Sequence, residues 1–220
     1  MPDTSKKRPG GARPKSDRLE ATRTKVLEAA LPNVAFDGWT PRLLREASET
    51  AGVSHGILDL VDFFLEDGDR RMEEALAGRD LAAMKIRERI TLAVRTRIEV
   101  DLHAREAMRR AITMFALPTS GARGPHSLYR TVDAIWRATG DTSTDFNFYT
   151  KRATLAGVFS SVTLYWFADD SENYARTWAF LDRRIEDVMR FEKAKAGVKN
   201  IASRLPDPFA LLGRLRYGKG

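Results

Sequence analysis

Cysteine is absent from this chain. That excludes a disulfide scaffold, a thiolate zinc site and cysteine nucleophile chemistry, and it fits a reducing compartment. Histidine is scarce, with only His55, His103 and His126. No two of them stand at i+3 or i+4, and no Glu-x-x-His occurs, so no metal site is expected. A Gly-x-Ser-x-Gly elbow and a P-loop are also missing. Asp169-Asp170 resembles a carboxylate pair, but adjacent helical residues do not face each other, and the pair reads as a helix junction. No catalytic residue and no cofactor is expected. No stretch alternates at period 2 over a useful length, which argues against a sheet. The charge-free run 153–168 is sixteen residues and contains Thr154, Ser160, Ser161 and Thr163. A membrane span needs roughly 20 apolar residues, so the run reads as a helix buried on most sides.

What is present is a formal charge of +7 over 220 residues, unevenly placed. Residues 1–25 carry +5 and residues 193–220 carry +6, which leaves −4 for residues 26–192. The body is mildly acidic and the ends are basic, so net charge alone assigns a partner to the wrong part of the molecule. The stretch 1–16 holds Lys6-Lys7-Arg8 and Arg13-Pro14-Lys15 with almost no apolar residue, and is expected to be a disordered basic arm. It lacks the apolar h-region of a secretory signal and the apolar face of a transit peptide.

Nearly every other segment has helical spacing. Helices are expected at 18–35, 41–50, 57–77, 80–102, 104–116, 127–138, 146–168, 172–195 and 205–217. Thr40-Pro41 is a helix start, with Thr as N-cap and Pro at the first position. Ala51-Gly52 ends the same helix. Asp145 and Ser171 are further candidate caps. Tyr174, Trp178, Leu181, Ile185 and Val188 step by 4, 3, 4, 3, a packing seam. The fold class is all-α, a bundle of about nine helices with a small amphipathic one at the end.

Three features carry candidate function. First, the first 60 residues resemble the helix-turn-helix domain of TetR-type regulators in the spacing of helix 18–35, Phe36-Asp37-Gly38-Trp39-Thr40, a short helix and Ala51-Gly52-Val53-Ser54. The chemistry of DNA reading is missing, because residues 53–66 contain no Lys, Arg, Asn or Gln but do contain Asp59, Asp62 and Glu66. Second, ten aromatic residues lie within 146–180. They read either as a packed core or as the lining of a cavity for an apolar ligand, with Gly157, Ser160 and Ser161 leaving room beside a bulky helix. Third, Phe209, Leu211, Leu212 and Leu215 fall within roughly 160° of a helical wheel. Arg214 lies outside that arc, and Arg216 lies within it, where its stem can snorkel. The segment reads as a helix on an anionic membrane surface, as a helix docked on its own domain, or as a tail.

The stretch Ser143-Thr144-Asp145-Phe146-Asn147-Phe148-Tyr149-Thr150-Lys151-Arg152-Ala153 resembles a hallmark of the Coq-nine family of ubiquinone biosynthesis. Thr177-Trp178-Ala179-Phe180-Leu181-Asp182-Arg183-Arg184-Ile185 is similar to the same family. So are Phe36-Asp37-Gly38-Trp39-Thr40 and Asp59-Leu60-Val61-Asp62-Phe63-Phe64-Leu65. The resemblance implies a TetR-like fold with a degenerate helix-turn-helix that no longer reads DNA. It implies a non-catalytic, homodimeric protein that binds isoprenoid quinone precursors and presents them to the di-iron demethoxyubiquinone hydroxylase. On this resemblance, Leu155, Val158, Phe159, Val162, Tyr165, Trp166 and Trp178 are expected to bind lipid. Asp145, Phe148 and Tyr149 match the partner-docking patch, with Phe148 where many members have Trp. Phe209, Leu211, Leu212, Arg214, Leu215 and Arg216 are expected to bind membrane. The expected organisation is a basic arm at 1–16, a helix-turn-helix region at 17–78, a lipid-binding and dimerisation region at 79–196, and a membrane-binding end at 197–220. A bacterial member, at the inner face of the membrane, is the expected setting. The competing reading is a TetR-type DNA-binding transcriptional regulator.

Overall fold

The computed structural model describes residues 15–52, 57–141 and 146–202. Within them the fold is all-helical, with no strand. Eight α-helices follow in order: α1 (Lys15–Asp37), α2 (Pro41–Ala51), α3 (Ile57–Ala77), α4 (Ile86–Glu99), α5 (Arg105–Phe115), α6 (Arg123–Ala138), α7 (Phe146–Ala168) and α8 (Ala175–Ala202). Short 3-10 turns precede α5, α6 and α8. Of the expected arm 1–16, residues 1–14 lie outside the described residues, while Lys15 and Ser16 belong to α1, a correction to the expected boundary. Asp145, His55 and the expected helix 205–217 with all its membrane residues also lie outside the described residues.

The N-terminal unit forms as the residues dictate. Thr40 is extended, and its Oγ1 accepts from the Leu43 amide at 3.2 Å. Gly52 closes α2 in the left-handed region at φ 72°, where a side chain is disfavoured. Val26, Leu27, Ala30 and Val34 of α1 are buried, as are Leu60, Val61, Phe63, Phe64 and Leu65 of α3. The Phe-Asp-Gly-Trp-Thr motif is a structural latch. Trp39 is buried, lies 5.5 Å from the Phe64 ring, and donates its indole N–H to Ala107 O on α5 at 3.1 Å. Arg110 of α5 donates to Ala35 O at 3.0 Å. The helix-turn-helix unit is thereby fastened to the body.

Several element bounds differ from expectation: α1 spans Lys15–Asp37 rather than 18–35, and α8 spans Ala175–Ala202 rather than 172–195. α4 begins at Ile86 rather than 80. Residues before it form a turn in which Asp80 Oδ1 accepts from the Ala83 amide, and Glu88 accepts from the Lys85 amide at 3.0 Å. Those acceptors stop a helix from running through and restart it three residues later. α6 begins at Arg123 rather than 127. The seam on α8 is present, with Leu181 and Ile185 buried and Tyr174, Trp178 and Val188 partly buried against the core.

Candidate functional site

α7 organises the candidate site because its circumference divides into four strips. Leu155, Val162 and Trp166 point into the core. Phe159, Ser160, Thr163 and Leu164 line a cavity of about 360 Å³. Thr154, Leu155 and Val158 line a second cavity of about 480 Å³ on the opposite side. Between the two cavities runs an exposed uncharged strip of Ala153, Gly157, Leu164 and Ala168. A Cβ built on Gly157 meets nothing within 4 Å, so that glycine opens outward and lines neither cavity. The room expected beside it is on the outside of the helix.

The first cavity lies among α3 to α7. Met108, Ile112 and Phe115 of α5 form one apolar wall, and Leu128 of α6 another. Its polar end is Arg97 of α4, which is fully buried. The guanidinium donates to Asp69 at 2.8 Å, to Asp101 at 2.5 Å and to Leu65 O at 3.1 Å. Asp69 also accepts from Thr131 Oγ1 at 2.8 Å, and Asp101 from Arg71 at 2.6 Å. Burial disfavours the charge on Arg97, but Asp101 and Asp69 outweigh that and raise its pKa, so it stays protonated. Gly68 lies flat against this group, and a Cβ there would stand 2.6 Å from the guanidinium carbon.

The seven residues expected to hold lipid are therefore divided. Phe159 lines the first cavity, and Leu155 and Val158 line the second. Val162 and Trp166 are fully buried core residues that line neither cavity. Tyr165 stacks on Phe180 of α8 at 4.5 Å, and Trp178 donates its N–H to Asn173 O at 2.9 Å beneath Arg95. These last four hold helices together. Sequence reasoning missed Arg97, Met108, Ile112 and Leu128, which come from three other helices.

At the start of α7, Tyr149 is 68% exposed and Phe148 is half-buried. Their rings meet edge to face at 5.1 Å. The guanidinium of Arg152 sits 3.3 Å from the centre of the Phe148 ring. Arg152 is itself buried and held by Asp133 at 2.8 Å and Asp141 at 3.4 Å. Two expected partner residues thus form one aromatic patch, oriented by an arginine one turn away. Asp145, the third, is outside the described residues.

Asp169 is the junction between α7 and α8. It is 2% exposed and accepts from the amide and hydroxyl of Ser171 at 2.9 and 2.6 Å, and from those of Thr177 at 2.8 and 2.6 Å. Burial alone would raise its pKa, but these hydrogen bonds hold the carboxyl well below the usual range. The expected cap at Ser171 works at one remove, its hydroxyl accepting from the Arg176 amide at 3.1 Å. No group of acidic or histidine side chains suited to a metal occurs among the described residues. Among the same residues, no helix is long and apolar enough to cross a membrane. Two of the three acids of α3 that argue against DNA reading are held by α6, since Arg123 pairs with Asp59 at 3.0 Å and Asp62 at 2.9 Å.

Comparison with known proteins adds similar sequences and a similar fold. The COQ9 family model matches residues 122–192, which span α6, α7 and most of the described part of α8. The mitochondrial ubiquinone biosynthesis protein COQ9 of Rattus norvegicus is 29% identical over 201 residues, covering 84% of this chain and 64% of its own length. The human protein of the same name is 28% identical, with 84% and 63% covered. The chain thus spans under two thirds of the length of these relatives. In structure, a TetR transcriptional regulator from Nitrosomonas europaea ATCC 19718 superposes with a TM-score of 0.62. That match has 19% sequence identity and covers 76% of this chain and 97% of the other.

Proposed function

We propose that this chain, which matches the COQ9 family model over residues 122–192 on a TetR-like helical frame, serves ubiquinone biosynthesis as a non-catalytic lipid-binding protein of that family. Its ligand is an isoprenoid quinone precursor, which it presents to the di-iron demethoxyubiquinone hydroxylase. The observation that carries this reading is the cavity of about 360 Å³ walled by Met108, Ile112, Phe115, Leu128 and Phe159. Every CH₂ that such a wall removes from water contributes about 0.8 kcal/mol. The basic, amphipathic residues 205–217 would keep that cavity at an anionic bilayer, where the ligand resides.

Anionic vesicles doped with a polyprenylated quinone precursor provide the test. Wild-type protein re-isolated from them should carry the lipid, read by mass spectrometry of the extracted protein. Ser160→Trp fills the cavity from its wall and should lower the lipid signal at least tenfold while the protein still sediments with the vesicles. Protein lacking residues 205–220 should neither sediment nor load. Equal lipid in Ser160→Trp and wild type would remove the cavity from this reading.

Presentation requires a docking surface, and the Phe148–Tyr149 patch at the mouth of α7 suits one. Exposed aromatic anchors held rigid by a buried arginine resemble interface hot spots. Tyr149→Ala should weaken binding to the hydroxylase about tenfold or more, with a thermal midpoint within 1–2 °C of wild type because the ring is mostly exposed. Undiminished binding in surface plasmon resonance would take Tyr149 out of the interface.

A further inference from the structure

We infer that Thr163 selects the ligand of the α3–α7 cavity, favouring a molecule that places a hydrogen-bonding oxygen at this one point of an otherwise apolar wall. This rests on the reading of that cavity as the ligand site. Thr163 is 2% exposed, lines the cavity, and has a hydroxyl without any hydrogen-bond partner. The other buried polar side chains in the same wall are satisfied within the protein. Arg97 is held by Asp69 and Asp101, Ser127 bonds to Asp62, and Thr131 bonds to Asp69. A buried hydroxyl left unpaired is unfavourable, and a valine of the same shape would avoid it. The hydroxyl oxygen is enclosed, so a turn about χ1, for which threonine on a helix has two rotamers, would bring it to the cavity face. A ligand oxygen there would satisfy the hydroxyl and leave the rest of the ligand against Met108, Ile112 and Phe115.

Size defines the ligand further. At about 30 Å³ per water-sized group, 360 Å³ holds about a dozen heavy atoms. That is a ring with a short substituent, so any longer chain must leave the cavity. Leu164 lines the same cavity and is 59% exposed, which marks the way out.

The test uses 4-propylphenol and propylbenzene, which share a body and differ by one hydroxyl. Isothermal titration gives the ratio of their affinities in wild type, Thr163→Val and Thr163→Ser. The phenol preference should fall about tenfold in Thr163→Val, the worth of one hydrogen bond, and persist in Thr163→Ser. Propylbenzene affinity should be unchanged in both. Ligand-free Thr163→Val should melt at the wild-type temperature or about 2–4 °C above it. An unchanged ratio in Thr163→Val, or a lower melting temperature, would overturn the role of Thr163 and leave the cavity standing. Failure of wild type to bind either probe would overturn the cavity reading itself, and this inference with it.

Discussion

Replacing Arg97 by leucine is expected to destabilise the protein by about 3–5 kcal/mol, the range for removing one partner of a buried ion pair. The cost does not come from losing attraction alone. Arg97 is 1% exposed, and its partners Asp69 and Asp101 are 5% and 0% exposed. Without the guanidinium both carboxylates stay buried, with Thr131, Arg130 and Arg71 as their remaining partners. The Leu65 carbonyl loses its donor as well. Three helices meet at this one group, so the damage is not local. Urea unfolding of the Arg97→Leu protein checks it, as a fall in midpoint with an unchanged slope. A loss under 1 kcal/mol would mean the network tolerates the gap, and the polar end of the cavity would need another explanation.

The second large effect belongs to Asp169. Asp169→Ala should cost about 3 kcal/mol, because the amides and hydroxyls of Ser171 and Thr177 lose a charged acceptor in a buried site. The effect is pH-dependent, with a definite sign. The folded-state pKa is depressed, so the stabilisation is fully present above the unfolded value near 3.9. It is lost as pH falls through the folded value. The stability gap between wild type and Asp169→Ala should therefore be constant from pH 5 to 7 and narrow below about pH 4. Denaturant titrations at a series of pH values read this directly. A gap that widens in acid would contradict the assignment.

Much of the fold was legible in the residues. Helical spacing alone placed eight elements, because amphipathic segments between Pro, Gly and short polar acceptors have few other ways to bury their apolar side chains. Thr40-Pro41 and Gly52 marked α2 to within one residue, since capping is local chemistry. The site was only partly legible. Absence of charge on α7 correctly pointed to burial, but it cannot distinguish a position facing a void from one facing a neighbour. Val162 and Phe159 look alike in sequence, yet one fills the core and the other lines the cavity. Arg97 gave a single weak signal, its i,i+4 spacing to Asp101, which on most helices is a solvated pair. Its burial depends on Asp69, which is 28 residues away in sequence on another helix. Arg152 was hidden for the same reason, since Asp133 and Asp141 come to it from α6 and the turn beyond.

The glycine at position 68 gives the Arg97 site a direction in time. A Cβ at 68 would sit 2.6–2.7 Å from the guanidinium atoms, which two carboxylates prevent from moving aside. Alanine or anything larger can therefore arrive only after the arginine has left. The opposite order passes through an overcrowded core. The pair is coupled one way: while Arg97 stands, position 68 is confined to glycine.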